Sequence, residues 1–344
     1  MRLTDTILFQ AGLDPERFAL VGPGTVVPYG RVAQGLLSAE RRLRSAGFVP
    51  GDRIFLTVAN PLDHIVLSLA LHRSRITSVH LDEAVSGDAK ITAILTDGPN
   101  VSLGIRYPNA RMVMLDPTWF QDDDAVLLSE RFSSKRESTF TYEVTTAGEI
   151  TSAELESQID ACLLAAPAEW ERLVCLHEPH TAAARRQIFM ALTLGRTICF
   201  AGPDNARQLA SAYRHQFIVG PWADILQLAD RQATNFIPIP SLRGLLAEVD
   251  QRPVREEILK VIAFVSNTRV VWSDPCLGMI AVSEIGQLLD ASKRLGATGP
   301  WVETHVTEHG GDNGFEARLV CDADRGSSAW RWVQLPRQLA SGAR

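Results

Sequence analysis

The sequence predicts an α/β protein with two doubly wound β/α subdomains followed by a small antiparallel β module. Strand-like and helix-like stretches alternate over residues 29–115, and the alternation resumes over residues 173–272. A period-two pattern replaces it from Trp301 onward. The alternation is typical of a parallel sheet covered on both faces, and period two is typical of antiparallel strands. We therefore expect a first subdomain over residues 1–165, a second over 166–295, a partial β module over 296–336 and a tail over 337–344.

In the first subdomain, apolar residues recur at helical spacing over residues 29–46, and Gly47 ends that helix. The elements predicted after it are a strand, a helix, a strand, a helix and two strands: Arg53–Ala59, Leu62–Ser74, Thr77–Leu81, Asp88–Asp97, Val101–Ile105 and Arg111–Leu115. Residues 116–165 are less regular. Within them Thr139–Val144 is predicted as an edge strand, and a helix is predicted from Ser152.

The second subdomain continues the same alternation, with strands and helices of ordinary length. Its predicted strands are Leu173–His177, Thr197–Ala201, Phe217–Gly220, Leu242–Ala247 and Arg269–Trp272, and its predicted helices are Thr181–Leu194, Asn205–Arg214, Pro221–Arg231 and Val254–Phe264. The period-two strands of the module are Trp301–Thr307, Phe315–Val320 and Trp330–Leu335.

Composition excludes several classes of protein. The net charge of −6 argues against a nucleic-acid binder or a membrane-surface binder, which would present a basic face. No run of 18 apolar residues is present, and the first 19 residues lack the apolar stretch of a signal peptide. The five cysteines are widely spaced, which favours buried thiols over disulfides or a zinc site. We expect a cytoplasmic protein.

Residues 17–320 resemble, in order and spacing, the adenylate-forming superfamily of acyl-CoA synthetases, luciferase-like enzymes and peptide-synthetase adenylation domains. The segments that carry the resemblance are Val27–Val32, Leu43–Ile54 with Asn60, Leu176–Ile198, Ala206–Pro221, Leu242–Leu246 and Val270–Gly278. The resemblance implies the fold of that superfamily's N-terminal domain. It also implies a mobile C-terminal domain with a catalytic lysine. Because no lysine follows Lys293, we expect that domain to be absent.

The resemblance places a phosphate-binding loop at Thr145, Thr146 and Gly148. Such a loop cradles phosphates with backbone N–H groups and hydroxyls, and a lysine offsets their charge. Here the Pro-Lys that ends the loop is missing, Glu149 adds a like charge, and no lysine lies between Lys135 and Lys260. The loop is therefore degenerate under this interpretation. The alternative is a polar turn that leads into the helix at Ser152.

The adenine-binding and magnesium-binding motifs of the superfamily are also altered. Glu248 and Asp250 stand where the resemblance expects a glycine-rich adenine loop, either as replacements for it or as part of a surface loop. In the next motif the expected Thr and Glu are Pro275 and Cys276, and a thiol is a poor magnesium ligand. The remaining candidates for an adenine or acid pocket are His180, Trp272, Ser273, Asp274 and Gly278. A helix-capping or surface role is the alternative for His180.

The sequence favours a degenerate acyl-CoA-synthetase-like protein without adenylation activity, with no catalytic residue, metal site or cofactor expected. It would bind either a small carboxylic acid or a partner protein such as a synthetase or carrier protein, and homo-oligomerisation stays open. The alternative is an active acid–thiol ligase that uses ATP, magnesium and CoA, with the lysine domain supplied by another chain. A third interpretation is likeness in fold alone, with an unrelated function.

Overall fold

The computed structural model describes residues 3–22, 24–79, 90–98, 105–120, 140–145, 148–166, 170–232, 236–249, 253–274 and 278–289, and three strands between residues 302 and 334. The chain divides into two compact units. Unit 1 comprises Met1–Leu20, Val26–Leu155 and Ala191–Gly195, and unit 2 comprises Val21–Thr25, Glu156–Met190 and Arg196–Arg344. The predicted α/β class is confirmed by two sheets of mainly parallel strands, with helices that alternate with the strands along the chain. The predicted subdomain boundaries stay predictions.

Unit 1 contains a six-stranded sheet. From the start of the chain to the last strand of this sheet, the elements are α1 (Leu3–Leu13), β1 (Phe18–Gly22), β2 (Thr25–Pro28), α2 (Tyr29–Ser45), β3 (Arg53–Thr57), α3 (Pro61–Ser74), β4 (Thr77–Val79), β5 (Ala93–Thr96), β6 (Arg111–Met114), β7 (Thr141–Thr145) and β8 (Gly148–Thr151). Strands β1 and β2 belong to the other large sheet. The strand order is β6-β5-β3-β4-β7-β8, with β8 antiparallel and the other five strands parallel.

Local chemistry explains how two of these helices begin and end. Asn60 caps α3, because its side-chain oxygen accepts a hydrogen bond from the backbone N–H of Leu62 at 2.9 Å. Pro61 then occupies the first turn, where its missing N–H costs nothing. At the end of α2, Gly47 adopts a φ of +80°, which glycine reaches without steric cost. The apolar side chains between the helices and the sheet form the core of unit 1.

Two predictions for this unit are wrong. Part of the predicted helix Asp88–Asp97 is β5, whose four residues are all buried between β3 and β6. A strand buried on both faces shows no alternation, so its short apolar run resembles part of a helix. Thr139–Val144 is not an edge strand, since β8 lies outside β7. Most of the predicted strand Val101–Ile105 lies outside the described residues.

Unit 2 is built on the parallel part of an eight-stranded sheet. Its elements are α4 (Ser152–Ala165), β9 (Arg172–Cys175), α5 (Ala182–Thr193), β10 (Thr197–Phe200), α6 (Pro203–Ala212), β11 (Phe217–Pro221), α7 (Trp222–Ala229), β12 (Gly244–Val249), α8 (Arg255–Phe264), β13 (Thr268–Asp274) and β14 (Gly278–Glu284). The strand order is β14-β13-β12-β11-β9-β10-β1-β2. Strands β9 to β13 are parallel and β14 is antiparallel to β13.

The last described part of the chain is a separate three-stranded sheet of β15 (Val302–His305), β16 (Gly314–Leu319) and β17 (Arg331–Gln334). Both of its pairings are antiparallel, which confirms the module predicted from period two. The predicted tail at 337–344 lies outside the described residues. Among the residues that the structure does describe, no helix has the length and apolar character needed to cross a bilayer.

Candidate functional site

The expected phosphate loop is the turn of a β-hairpin in unit 1. Strands β7 and β8 are antiparallel, and Thr145 pairs with Gly148 as the last pair of the ladder. Only Thr146 and Ala147 separate the two strands, and both lie outside the described residues. Gly148 has a φ of +134°, a value that strongly favours glycine. The hairpin therefore leaves two residues where a phosphate loop would need a longer connection.

The hairpin leads directly into α4 through a capping box. The Thr151 hydroxyl accepts a hydrogen bond from the Glu154 backbone N–H at 3.2 Å. In return, the Glu154 carboxylate accepts one from the Thr151 backbone N–H at 2.7 Å. This reciprocal pair satisfies two donors at the start of the helix. The start of α4 is thus defined by side chains of the segment itself.

Glu149 is held on the hairpin by two donors. The Arg53 guanidinium donates to one carboxylate oxygen at 2.7 Å, and the Thr141 hydroxyl donates to the other at 3.2 Å. Both ionic groups are partly exposed, so the ion pair itself adds little stability. It does fix a negative charge one residue after Gly148, where a phosphate would need a positive one.

A second set of polar residues lies at one edge of the unit 2 sheet. Because β9, β11, β12 and β13 are parallel, their carboxyl ends meet at that edge. The chain moves from β9 to β10 on one side and then to β11 on the other, so the winding direction reverses at β9. Ligands of open α/β sheets bind outside the carboxyl ends of strands at such a reversal. His177, Glu248 and Ser273 lie at or just beyond these ends.

The side chains of His177 and Glu248 contact each other there. The His177 Nε2 atom lies 3.3 Å from a Glu248 carboxylate oxygen, and the two side chains are 9% and 14% exposed. Burial by itself raises the pKa of Glu248. The nearby His177, the Arg186 guanidinium and the Ser273 hydroxyl outweigh burial and hold the pKa below its ordinary value. Glu248 is therefore a buried carboxylate that is ionised at neutral pH.

Arg186 and Gln187, on α5, add further buried polar atoms, and the Arg186 guanidinium is close enough to stabilise this carboxylate. Arg186 is only 2% exposed, and its Nε and Nη1 atoms have no hydrogen-bond partner in the described part of the chain. Gln187 is fully buried and directs its amide nitrogen at Cys162 Sγ, 3.7 Å away. We call His177, Arg186, Gln187, Glu248 and Ser273 the edge cluster.

Cys162, which contacts Gln187 of the edge cluster, is not a nucleophile. Burial raises the pKa of Cys162 to about 12, although Arg186 opposes the shift. A thiol with this pKa is protonated at neutral pH and unreactive. Among the described residues, no group of three or more His, Cys, Asp or Glu side chains could hold a metal ion.

The predicted pocket residues differ in burial and in their surroundings. Trp272 is 8% exposed in β13 and pairs with Val249, and Ser273 follows it in the edge cluster. Asp274 pairs with Gly278 at the end of the β13–β14 hairpin, and its side chain lies outside the described part. By contrast, the His180 side chain is 63% exposed, and its Nε2 atom lies 3.1 Å from the Glu178 carboxylate.

Gly278 has a structural reason to be glycine. Its φ is +74°, and an added Cβ would lie 2.8 Å from the Gln158 side chain. The contact with Gln158 leaves no room for a side chain, and the positive φ independently favours glycine at this position. Residues 275–277, which include the two altered motif positions Pro275 and Cys276, lie outside the described residues.

Sequence reasoning missed most of the edge cluster. The surface-loop interpretation of Glu248 is wrong, because β12 continues to Val249 and buries the carboxylate. Arg186 lies on α5 between Arg185 and Gln187, which are buried as well, and helical spacing alone did not single it out. The signal that could have found the pair was positional: His177 and Glu248 both lie at the carboxyl ends of predicted parallel strands.

No protein-family model matches the sequence, and no curated protein matches it. Solved structures do match in fold. The inhibitor-bound N-terminal domain of FACL13 from Mycobacterium tuberculosis has a TM-score of 0.78 and 13% identity, over 96% of this chain and 90% of that one.

Two further similar structures are longer enzymes. Coronafacic acid ligase from Pectobacterium brasiliense has a TM-score of 0.74 and 12% identity, over 97% of this chain and 75% of that one. Unliganded o-succinylbenzoate coenzyme A synthetase from Bacillus subtilis has a TM-score of 0.73 and 13% identity, over 95% and 71%. At these identities the likeness concerns the fold. The chain has the fold of the N-terminal domain of adenylate-forming ligases.

Proposed function

We propose that this protein uses the adenylate-forming fold to bind a small carboxylic acid and does not adenylate it. The observation that carries the proposal is the two-residue connection between Thr145 and Gly148. A phosphate loop must wrap backbone N–H groups around a triphosphate. A ladder that stays paired up to a two-residue turn supplies few free N–H groups.

Charge at the hairpin supports the same proposal. Glu149 stands beside the turn with Arg53 already bound to it, and the hairpin itself contains no lysine. A group that stabilises the charge of the transition state contributes about 3 kcal/mol, so losing several lowers the rate by many orders of magnitude. Adenylation by this chain should therefore be undetectable.

Burial supports a small ligand over a partner protein. The unsatisfied N–H groups of Arg186 belong to a side chain that is 2% exposed, beyond the reach of a protein surface. A small acid, unlike a folded partner, is compact enough to pair with such a buried group. A buried guanidinium binds a carboxylate well, since its planar donors match the two carboxylate oxygens.

The test combines an activity assay with a binding assay. Exchange of pyrophosphate into ATP is measured with magnesium and a panel of carboxylic acids, with o-succinylbenzoate coenzyme A synthetase as the positive control. The melting temperature is measured with the same acids, without nucleotide. We expect no exchange and a rise in melting temperature with at least one acid. Acid-dependent exchange would overturn the proposal.

A second candidate function is supported by Trp272. It keeps an aromatic ring at the end of β13, where the resemblance expects stacking on adenine, and the residue is largely buried. Under this alternative the chain is an acid–thiol ligase that uses ATP, magnesium and CoA and takes its lysine domain from another chain. Acid-dependent AMP release on adding such a domain would support it over the first proposal.

A further inference from the structure

Strand β6 is the outer strand of the unit 1 sheet and pairs with β5 on one side only. On that side, the backbone N–H groups of Arg111 and Leu115 donate to carbonyl groups of the segment Thr92–Thr96 at 3.0 and 2.8 Å. Backbone groups of a strand point to its two sides in alternation. Those of Met112 and Met114 therefore point away from β5, and they form no hydrogen bond within the described part of the chain.

The side chains along this outer edge are apolar. Met112 is 38% exposed and Met114 is 51% exposed. Being two residues apart in a strand, they lie next to each other on the same face of the sheet. The charged residue of the strand, Arg111, is directed back onto unit 1, where it donates to the Ala46 carbonyl at 2.8 Å and lies over the Phe48 ring. No charge of β6 itself therefore protects its outer edge.

The other outer strands of the two large sheets are protected. Strand β2 ends in Pro28, β8 carries Glu149 and β14 carries Glu284, and these two carboxylate side chains are 47% and 58% exposed. Prolines and charges at an outer strand prevent it from pairing with a strand of another molecule. Among the described edges of these two sheets, β6 is thus the one whose sequence permits such pairing.

Charge around β6 favours one partner and one direction. Arg106 is exposed shortly before the strand, and Asp116 is exposed shortly after it. If two copies pair antiparallel about a two-fold axis at Val113, Asp116 of each copy lies opposite Ala110 of the other, close to the turn that carries Arg106. Opposite charges then meet at both ends, which stabilises the pair and suppresses the parallel alternative. The edge is therefore complementary to itself.

We propose that β6 is a homodimer interface, at which it pairs antiparallel with β6 of a second copy about a two-fold axis at Val113. Met112 of each copy exchanges backbone hydrogen bonds with Met114 of the other, and the four methionine side chains pack on one face. The two six-stranded sheets become one continuous sheet. This interface goes beyond the proposed function and does not depend on it. Because the strand is short, the dimer is weak and forms reversibly.

The first test measures the oligomeric state by sedimentation equilibrium, from micromolar to near-millimolar concentration. We expect a reversible equilibrium between monomer and dimer. Met114→Pro removes an outward N–H that the β5–β6 ladder does not use, so it should raise the dissociation constant at least tenfold. Leu13→Lys removes a side chain that is 63% exposed on α1 and should leave the dissociation constant unchanged, which makes it the control.

A second pair of variants tests the register. Met112→Lys combined with Met114→Lys places like charges opposite each other across the axis and should abolish the dimer. Met112→Glu combined with Met114→Lys places opposite charges there instead. This second variant should dimerise at least tenfold more tightly than the first, and added salt should reduce the difference. Both variants change exposed side chains only, and their circular dichroism should match that of the wild type.

A crosslink tests the position of the axis. Val113 faces its own copy across the axis in a non-hydrogen-bonded pair, with Cα atoms about 4.5 Å apart, a distance that a disulfide can span. Val113→Cys should therefore form a disulfide-linked dimer when oxidised with copper phenanthroline. The wild type, treated in the same way, is the control for the native thiols, of which Cys162, Cys175 and Cys199 are buried.

The outcomes decide the inference. A protein that stays monomeric at every concentration overturns it, and binding of an extended peptide from another protein at β6 would then identify a different occupant. A dimer that persists in both Met114→Pro and the double-lysine variant uses another surface and also overturns it. So does a Val113→Cys variant that crosslinks no more than the wild type.

Discussion

His215 follows α6 in unit 2 with its side chain fully buried. Burial, and secondarily the charge of Arg172, lowers its pKa from 6.5 to about 4. The folded protein therefore keeps this imidazole neutral in mild acid, whereas the unfolded chain takes up a proton below about pH 6.5. The contribution of His215 to the free energy of unfolding is therefore fully present above pH 6.5 and is lost as the pH falls toward 4.

The size of the effect follows from the shift. One pKa unit corresponds to about 1.4 kcal/mol, so a shift from 6.5 to about 4 corresponds to roughly 3 kcal/mol in total. At pH 5 the unfolded state is almost fully protonated at this position and the folded state is not. The expected loss between pH 7.5 and pH 5 is then about 2 kcal/mol.

The assay is urea unfolding, followed by circular dichroism between pH 7.5 and pH 5, for the wild type and for His215→Phe. The substitution keeps a ring and removes the titration. We expect the wild type to lose about 2 kcal/mol more than the variant over this range. Tyr213→Phe alters the ring next to His215 and keeps the histidine, so it serves as the control. Equal pH dependence of wild type and His215→Phe would refute the reasoning.

Three further predictions concern stability and reactivity. Gly278→Ala should destabilise the protein by about 2 kcal/mol in urea unfolding, because of its positive φ and the nearby side chain, whereas Gly286→Ala, which meets no atom within 4 Å, should change it far less. Thr151→Ala should cost about 1 kcal/mol in the same assay, since it removes half of the capping box with Glu154, and an unchanged midpoint would contradict that role. Cys162 should resist alkylation at pH 8 until the protein is unfolded, because burial raises its pKa to about 12, and rapid labelling of the native protein at this residue would contradict it.

The sequence predicted most of the elements because helical and strand periods differ and because short turns separate them. The helix at residues 29–46 and the strand at Arg53–Ala59 are observed as α2 and β3, within two residues at each end. One of the elements that were missed, β5, is a four-residue strand buried on both faces. Its apolar run carries no period of its own, so local pattern could not identify it.

The candidate site was harder to predict than the fold. The order of motifs pointed to the hairpin near Thr145 and to β13. It did not give the distances between side chains, and these distances decide what the residues can bind. The pairing of His177 with Glu248 joins residues 71 positions apart across an intervening strand. Such a contact depends on strand order and register, and neither can be predicted from a single segment of sequence. The burial of Arg186 likewise depends on which helix face meets the sheet.

The capping box at Thr151 and Glu154 allows the turn before it to vary in length. Because the first turn of α4 is stabilised from within its own segment, the number of residues between β7 and β8 can change without moving the helix start. Lengthening a flexible turn from two to eight residues costs only about 1 kcal/mol of closure entropy. The scaffold should therefore accept a glycine-rich loop grafted between β7 and β8.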